Sequence, residues 1–370
     1  MKVLILANND VGLYKFRKEL IEELIRPGSY IVGRKAKPCK VYISLPDGEF
    51  VPELIKLGCK YINTPIDRRG VNPVKDLRLL MMYRKILKKV KPDMVVTYTI
   101  KPNIYGGIAA RLANVSYAEN ITGLGTAFER PGFLRAMVVD LYKLALKKAK
   151  IIFFENKSNR DELLFFDICD KNKTKILSGA GVNTETFKYQ PYPHNDTMAF
   201  LFVGRVMKEK GIDELFGAMR RLVSEGKKCT LDIVGPIEDD YKEKLHQYET
   251  EGWLQYHGFQ ADVRPFISVC DCFVLPSYHE GMANTNLECA ASGRPLITSN
   301  IPGCKEAVIE GVSGLLCEPK NTASLYQAMK KMVTMKREQR EQMGEAGRKH
   351  IEDVFDKRKV VATTVAELMK

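Results

Sequence analysis

The sequence lacks several features that would place it in common functional classes. It contains no apolar run of about 18 residues, the length that predicts a transmembrane helix. Its start, MKVLILANND, has no basic segment ahead of a longer apolar one and no cleavage site, so no secretory leader is predicted. Neither half contains G-x-G-x-x-G or a Walker lysine motif, which disfavours a dinucleotide-binding or ATP-hydrolysing protein. We therefore expect a cytoplasmic protein.

Metal-binding patterns are also missing. No D-x-D pair occurs, which disfavours a divalent metal held by carboxylates. The nine cysteines are scattered, and their only close pair is the C-x-C of VCDCFVL, a spacing that suits neither a zinc site nor a disulfide framework. We expect buried, reduced thiols and neither a metal nor a cofactor.

The excess of positive over negative charge is confined to the first half of the chain. The formal net charge is +13, and residues 1–180 contain 33 Lys and Arg against 18 Asp and Glu, so this half carries all of the excess. Such asymmetry indicates an anionic partner: a nucleic acid, a phosphorylated substrate or an acidic membrane surface. Two predicted helices supply much of the excess, although their basic residues are equally typical of solvated helix faces: Arg84, Lys85, Lys88, Lys89, Lys91, Lys143, Lys147, Lys148 and Lys150.

The organisation of the chain is typical of two α/β domains. Both halves alternate short β-rich runs, such as VLILAN and MAFLFVGRV, with helical patterns, which predicts parallel sheets. The glycine- and proline-containing segment 176–197 is typical of an interdomain linker, whereas segment 26–40 fits no element and is interpreted as an irregular basic insertion. We predict domains at residues 1–180 and 181–352, with a ligand-binding cleft between their sheet edges.

The segment HEGMANTNLE, residues 279–288, places a glutamate on each side of a predicted helix start. Glu280 lies in a strand-to-helix loop, residues 281–284 begin the helix, and Glu288 lies about one turn inside it. Uncovered amides at a helix N-terminus favour a bound diphosphate, and the flanking carboxylates can accept hydrogen bonds from a sugar and a ribose. The segment therefore predicts a nucleoside-diphosphate sugar site. Taken alone, the same pattern is also expected of a loop glutamate near a helix start followed by an ordinary solvated glutamate within the helix.

Two cations follow the first strand of the second half. In VGRVMKEKGIDEL, Arg205 lies at the strand end and Lys210 lies just before the next helix. Because the outgoing loops of parallel strands meet at one sheet edge, we predict that both cations converge on the diphosphate held at residues 281–284. A departing diphosphate gains charge as its bond to the sugar breaks, and fixed cations there can replace a metal.

These motifs resemble those of a known family. GRVMKEKG, followed by SYHEGMANTNLECAASGRPLITSNIPGCKEAVIEGVSGLL, resembles the retaining glycosyltransferase family 4, whose GT-B architecture has two Rossmann-like α/β domains facing across a cleft. The first-half segments TYTIKPNIYGGIAA and ENITGLGTAF resemble the bacterial branch that builds capsule, O-antigen or glycoprotein glycans on polyprenyl-diphosphate lipids.

The resemblance implies roles for individual residues. It implies that Glu280 contacts the donor sugar, Glu288 holds the ribose, and Arg205 and Lys210 bind the diphosphate. It also implies a donor contact in the first loop and nucleobase contacts around Gly258. The donor-binding residues assigned in this way are Gly12, Gly281, Met282, Ala283, Asn284, Thr285, Glu288 and Phe259.

One departure from the family pattern concerns the acceptor. Some relatives use a histidine of the first domain near the reacting carbon, but all five histidines here lie after residue 190. No side-chain nucleophile is evident, which fits the same-face substitution proposed for the family, in which the departing diphosphate helps to deprotonate the acceptor. The acceptor-side candidates are Lys101, Asn103, Glu119 and Asn120. The last helix, predicted at 353–370, is expected to cross back to the first domain as in GT-B proteins, although an ordinary C-terminal helix fits the pattern too.

We therefore predict a metal-independent, retaining glycosyltransferase. It would move a hexose or N-acetylhexosamine from a nucleotide donor, expected to be UDP-linked, to a polyprenyl-diphosphate-linked acceptor for a surface polysaccharide or glycan. Its basic first half would face the acceptor and the anionic cytoplasmic surface of the membrane. The alternatives are a GT-B epimerase acting on UDP-GlcNAc without an acceptor, and a non-catalytic GT-B subunit that binds a partner enzyme or a nucleic acid. The retained Arg205, Lys210, Glu280 and Glu288 disfavour a silent subunit, and the sequence has no aromatic-interleaved basic stretch typical of nucleic-acid binding.

Overall fold

Two compact units make up the chain in the computed structural model, which describes residues 1–67, 72–125, 128 and 132–370. The first unit comprises residues 1–180 and 357–370, and the second comprises residues 181–356. Each is built on a parallel sheet with helical connections, so the predicted Rossmann-like α/β architecture is confirmed for both units.

The first unit contains a sheet of seven strands among the described residues, in the order β3-β2-β1-β4-β5-β6-β7. The central strands are continuous apolar runs, as expected for strands covered on both faces. Val3, for example, pairs with Val41 on one side and with Met94 on the other. The strands are β1 (Lys2–Leu6), β2 (Lys40–Leu45), β3 (Lys60–Asn63), β4 (Met94–Tyr98), β5 (Ser116–Ile121), β6 (Ile151–Phe154) and β7 (Thr174–Ile176).

Helices cover both faces of this sheet. They are α1 (Asp10–Ile25), α2 (Val51–Lys56), α3 (Pro73–Val90), α4 (Gly107–Leu112), α5 (Phe133–Leu146) and α6 (Lys157–Phe165). Helices α1 and α2 share one apolar core with Val3 and Ile5 of β1, whereas α3 to α6 share another with Leu4 and Leu6. Alternate residues of β1 thus belong to opposite cores, as the period of a strand requires.

The second unit contains a sheet of six strands within the described residues, in the order β10-β9-β8-β11-β12-β13. One apolar core surrounds it. The strands are β8 (Met198–Val203), β9 (Cys229–Val234), β10 (Leu254–Tyr256), β11 (Cys272–Leu275), β12 (Leu296–Ser299) and β13 (Gly314–Cys317). The helices are α7 (Ile212–Ser224), α8 (Lys242–Thr250), α9 (Arg264–Val269), α10 (Asn284–Ala291), α11 (Thr322–Thr334) and α12 (Arg337–Val354).

Each sheet reverses its strand order at one point. In the second sheet the chain runs outward from β8 through β9 to β10, and then from β11 through β12 to β13 on the other side. The corresponding reversal in the first sheet lies between β1 and β4. At such a switch point the loops that leave the two adjacent strands turn in opposite directions, which opens a crevice at the carboxyl edge of the sheet where ligands of these folds bind.

The last helix begins later than predicted. Asp353 and Val354 close α12, and a separate helix, α13 (Lys357–Met369), follows after a two-residue break. Val360, Val361 and further residues of α13 belong to the apolar core that contains α1, so this helix packs within the first unit. The break lies where the chain leaves the second unit.

The segment predicted as a linker is largely part of the second unit. Ile176 still belongs to β7, and arginines of the second unit fix the segment from residue 184 onward. Arg294 is fully buried and donates to the carbonyls of Gln190 and Pro191 at 3.1 and 3.0 Å. The other contacts run from Arg337 to Tyr192 and Pro193, from Arg340 to Tyr192, and from Arg348 to Thr184 and Phe187. Apart from the bond of Arg340 to the Tyr192 hydroxyl, these bonds use backbone carbonyls. The bound segment therefore needs no apolar periodicity, and its sequence pattern is typical of a linker.

The basic insertion is organised by one buried carboxylate. Residues 26–39 form turns without a helix or strand. The Glu23 side chain, which is fully buried, accepts hydrogen bonds from the backbone N–H groups of Gly28, Tyr30 and Ile31 and from the guanidinium of Arg34. The insertion is therefore anchored to the end of α1 through Glu23.

The buried arginine provides a test of how the segment is held. We expect Arg294→Ala to lower the free energy of unfolding by at least about 3 kcal/mol, because it leaves several buried carbonyls without a donor and opens a cavity. Urea unfolding followed by circular dichroism measures the loss. Arg264→Ala is the matched control, since Arg264 is half exposed in a surface ion pair with Asp262. Equal unfolding midpoints for the two variants would contradict this account.

Candidate functional site

Two glycines allow the loops after β8 and β12 to approach the segment after β11 closely. Gly211 follows Lys210, has φ 72°, and would place a Cβ atom 2.1 Å from the carbonyl oxygen of Pro276. Gly303 has φ 86° and would place a Cβ atom 2.6 Å from the carbonyl oxygen of Glu280. Any larger residue would push these loops apart. The loop after β8 is therefore held directly against the end of β11.

This approach brings two of the predicted catalytic residues together. The Lys210 ammonium donates to Oε1 of Glu280, and Ser277 Oγ donates to the same oxygen at 2.8 Å. The side chains of Lys210 and Glu280 are only 16% and 13% exposed, so the pair is well shielded from water. Sequence reasoning missed Ser277, although its position three residues before Glu280 at the end of a strand was a usable signal.

Arg205 is not part of this pair. Its guanidinium binds Glu238 Oε2 at 2.8 Å and remains 44% exposed. Glu238 lies in the loop after β9, on the opposite side of β8 from Glu280. Arg205 and Lys210 therefore have different carboxylate neighbours, and their convergence on a diphosphate remains a prediction. Sequence reasoning missed Glu238 as well.

The helix that follows Glu280 begins without a side-chain cap among the described residues. α10 starts at Asn284, and the residue before it, Ala283, has no side-chain acceptor for the first amides of the helix. The side chains of Met282 and Ala283 belong to the apolar core, and the Ala283 N–H donates to the carbonyl of Gly303 at 2.7 Å. Donor contacts from the backbone of this segment remain a prediction. Asn284 and Thr285 are partly exposed. An uncapped helix start beside an ammonium group favours a bound phosphate.

The remaining predicted donor contacts lie on either side of this helix start. Glu288 is a partly buried residue in the second turn of α10. Phe259 is 46% exposed in the loop after β10. β10 is separated from β8 by one strand, which places this loop about 10 Å from the switch point. That separation suits a nucleobase whose diphosphate lies at the switch point.

Gly12 lies inside a helix rather than in the predicted loop. It belongs to the first turn of α1, and its N–H donates to Oδ1 of the capping residue Asn9 at 2.6 Å. The amide expected to approach a phosphate is therefore occupied by the helix cap in this structure.

Lys101 occupies the switch point of the first sheet. It lies after β4, where Thr99 adopts φ 74° and a π-helical turn spans Pro102–Gly106. Lys101 Nζ binds Asp76 Oδ1 at 2.7 Å, and Tyr105 donates to the other oxygen of Asp76 at 3.0 Å. A left-handed threonine and a π-turn are unusual local conformations that recur at functional sites. Among the acceptor-side candidates, Lys101 has the geometry that best fits the role.

Asn103 and Asn120 hold the sheet together instead. Both are almost fully buried. Asn103 accepts from Thr97 Oγ1 at 2.7 Å and donates to the carbonyl of Asn120 at 2.9 Å, while Asn120 donates to the carbonyl of Thr97 at 3.1 Å. These bonds join the ends of β4 and β5. Their amide groups are already engaged, so the prediction that they contact an acceptor is not supported.

Glu119 is the clearest error among the acceptor-side candidates. It is fully buried, and neither carboxylate oxygen has a hydrogen-bond partner among the described residues. A Cβ atom built at Gly107 would lie 2.1 Å from its Oε1, which shows how tightly the carboxyl group is enclosed. Burial raises the pKa of Glu119 well above its ordinary value. It is therefore a core residue whose burial favours the protonated form, and its side chain does not reach the surface.

Side chains that bind metals do not cluster in the described part of the chain. No group of three or more histidine, cysteine, aspartate or glutamate side chains converges there. All nine cysteines are free thiols, and every one except Cys169 is buried, as predicted.

Two family models match most of the chain. Residues 184–350 match the model described as glycosyl transferases group 1, and residues 29–156 match the model described as glycosyl transferase 4-like. The chain is also 30% identical over 286 residues to the UDP-Gal:alpha-D-GlcNAc-diphosphoundecaprenol alpha-1,3-galactosyltransferase of Escherichia coli, covering 70% of this chain and 71% of that protein. It is 26% identical over 343 residues to the N,N'-diacetylbacillosaminyl-diphospho-undecaprenol alpha-1,3-N-acetylgalactosaminyltransferase of Campylobacter jejuni subsp. jejuni, covering 88% and 87%.

Solved structures share the whole fold. A glycosyltransferase from Rickettsia africae superimposes with a TM-score of 0.78 at 20% identity, covering 100% of this chain and 98% of that one. HepE of Anabaena, solved in complex with UDP and glucose, superimposes with a TM-score of 0.77 at 16% identity, covering 100% and 99%. At these identities the likeness concerns the fold alone.

The buried carboxyl group gives a pH-dependent prediction. Because burial raises the pKa of Glu119 above its ordinary value of 4.5, the unfolded chain releases this proton at a lower pH than the folded protein, so we expect the residue to lower stability as the pH rises above 4.5. Glu119→Gln, which cannot ionise, should be more stable than the wild type at pH 8 but similar near pH 4. Each pKa unit of elevation corresponds to about 1.4 kcal/mol.

Thermal unfolding of both proteins across this pH range measures the effect. Glu243→Gln, at an exposed position, is the control and should follow the wild-type profile. Parallel profiles for Glu119→Gln and the wild type would show that Glu119 ionises within the folded protein.

Proposed function

We propose that this chain, which belongs to the group 1 glycosyl transferases, transfers a hexose or N-acetylhexosamine from a UDP-sugar to a polyprenyl-diphosphate-linked acceptor with retention of configuration. The names of the two relatives describe α-linked products on diphosphoundecaprenol acceptors, and one specifies UDP-Gal as the donor. UDP-galactose carries its sugar in α linkage, so an α-linked product corresponds to retention. The product would serve the assembly of a surface polysaccharide or glycan.

The observation that carries the proposal is the Lys210–Glu280 pair beside the uncapped start of α10. It combines a fixed cation, a carboxylate and a helix start without a side-chain cap at the switch point of a parallel sheet. An ammonium group has three donors, so Lys210 can keep Glu280 and bind a phosphate oxygen at the same time. Both observed hydrogen bonds to Glu280 use Oε1. We assign the other oxygen to a hydroxyl of the donor sugar.

In this mechanism the bond between the anomeric carbon and the diphosphate oxygen breaks while the acceptor hydroxyl attacks on the same face. The acceptor proton passes to an oxygen of the departing diphosphate. Lys210 and the amides at the start of α10 stabilise the charge that develops on this leaving group. Arg205 joins them only if it exchanges Glu238 for phosphate, which a guanidinium favours because it binds phosphate through two parallel hydrogen bonds. The mechanism requires no metal.

We assign the acceptor to the first unit. Lys101 supplies a cation suited to an acceptor diphosphate, and the excess positive charge of this half suits an anionic membrane surface where such lipids reside. UDP-sugars are cytosolic metabolites, so the reaction is proposed for the cytoplasmic side of the membrane.

A panel of UDP-sugars tests the proposal. We expect UDP release from one hexose or N-acetylhexosamine donor to depend on an added polyprenyl-diphosphate-linked saccharide, and the product to contain an α linkage by NMR. Consumption of UDP-GlcNAc without any acceptor would instead identify an epimerase. Absence of UDP release with every donor would overturn the proposed activity.

The two glutamates should differ in their kinetic effects. Glu280→Gln should chiefly lower kcat, because the proposed sugar contact strengthens as charge develops at the anomeric carbon. Glu288→Gln should chiefly raise the donor KM, because a ribose contact is equal in the ground and transition states. Initial rates over a range of donor concentrations separate the two parameters. Wild-type kinetics in both variants would remove this segment from the donor site.

Lys210 provides a prediction with a matched control in the same turn. Lys210→Ala should lower kcat/KM by about two to three orders of magnitude, because a fixed cation at the leaving diphosphate stabilises the transition state by several kcal/mol. Lys208→Ala removes an exposed lysine two residues away and should leave the rate near that of the wild type. Wild-type activity should persist in EDTA. Loss of that activity in EDTA and its recovery with magnesium or manganese would show that a metal has the role we assign to Lys210.

A further inference from the structure

Large apolar side chains are exposed near the N-terminal ends of two helices of the first unit, α3 and α5, both of which contact α4. On α3, Val74 and Leu77 are 60% and 55% exposed, and on α5, Phe133 and Leu134 are 86% and 43% exposed. We call these four residues the first-turn surface. Single exposed apolar residues are ordinary, but large ones grouped at one end of a unit mark an interaction surface.

The first-turn surface lies beside Lys101. Both α3 and α5 follow strands of a parallel sheet, so their first turns lie at its carboxyl edge, the edge at which β4 ends. Asp76, in the first turn of α3, binds Lys101 and Tyr105. α5 also packs against the π-helical turn that contains Tyr105. The apolar residues therefore flank the turn that presents Lys101.

The charges around this surface identify the kind of partner. Along the exposed side of α3, Val74 and Leu77 come first, with Lys75 and Arg78 between and beside them. The last two turns then present exposed cations: Arg84, Lys85, Lys88 and Lys89. Leu77 and Lys88 are separated by about 16 Å along the helix axis. Centres of protein–protein interfaces are depleted in lysine, whereas apolar residues next to cations suit the boundary between acyl chains and anionic headgroups.

We propose that the first-turn surface inserts into an anionic phospholipid bilayer, with the cations of α3 on the headgroups and Lys101 at the level of the lipid diphosphate. This inference rests on the proposed function and deepens it by specifying which residues contact the membrane. Among the described helices, none has both the length and the apolar character needed to span a bilayer. Insertion of side chains from two helix ends provides an attachment that needs no spanning helix.

Vesicle sedimentation of the full chain tests the inference. The probes are phosphatidylcholine vesicles containing phosphatidylglycerol, and vesicles of pure phosphatidylcholine. The double variant Leu77→Ser/Phe133→Ser should bind the anionic vesicles about tenfold or more weakly than the wild type, since each buried CH₂ group contributes to membrane partitioning. Both side chains are exposed, so the fold should persist, as checked by circular dichroism.

The control is Val32→Ser. Val32 is 93% exposed in the insertion between α1 and β2, which lies at the amino edge of the same sheet. It should bind vesicles like the wild type. Equal binding by the double variant and the wild type would overturn the inference. So would loss of binding in Lys88→Ser/Lys89→Ser without any loss in Leu77→Ser/Phe133→Ser, because the attachment would then be purely electrostatic.

A second measurement separates this inference from the proposed function. The double variant should transfer sugar to a short-chain, water-soluble lipid-diphosphate acceptor at the wild-type rate, but should lose activity on a long-chain acceptor embedded in vesicles. If the wild type bound vesicles through the apolar residues but transferred no sugar, the proposed function would be contradicted and the membrane surface would still be supported. If the wild type used both acceptors and the double variant lost the same fraction of activity on each, the membrane surface would be contradicted and the proposed function would still be supported.

Discussion

A parallel sheet sends every outgoing loop to one edge, and a reversal of strand order separates two adjacent loops at that edge. In the second unit this constraint places the loop after β8 beside the loop after β11, with no helix packed between their first residues. The Lys210–Glu280 pair forms across this gap because Gly211 permits backbone contact with Pro276. The start of α10, which has no side-chain cap, belongs to the same gap. The cation, the carboxylate and the amides thus share one position through topology rather than through proximity in sequence.

The first unit uses the same topology differently. At its switch point, Asn103 and Asn120 tie β4 to β5, and Gly12 supplies an amide to a helix cap. Lys101, whose side chain is 14% exposed, pairs with a single carboxylate, Asp76, in this region. The two units thus offer different chemistry although their architecture is similar. Polar groups of the first unit bond to one another, whereas Lys210 and Glu280 of the second unit lie beside a helix start without a side-chain cap. This difference supports the assignment of the donor to the second unit.

Sequence patterns predicted the helices and strands better than they predicted the contacts between side chains. Strands such as β8 and β11 are continuous apolar runs whose burial leaves little choice of structure, and the positions of Lys210 and Glu280 follow from where those strands end. Glu119 was misassigned because a polar residue in a strand carries no sign of which face it occupies or how tightly that face is packed. The Arg205–Glu238 pair was missed because the two residues lie on different loops. The bound segment held by Arg294 was interpreted as a linker because bonds to backbone carbonyls leave no pattern in the sequence of the segment itself.

The central claim is that the diphosphate of a nucleotide sugar binds at the switch point of the second sheet. A crystal structure of the full chain grown with UDP in the presence of EDTA tests it most directly. The account predicts electron density for the diphosphate within hydrogen-bond distance of Lys210 Nζ and of the amides at the start of α10, with the uracil near Phe259. Density for the diphosphate elsewhere, or density at this position only when a divalent metal is supplied, would contradict it.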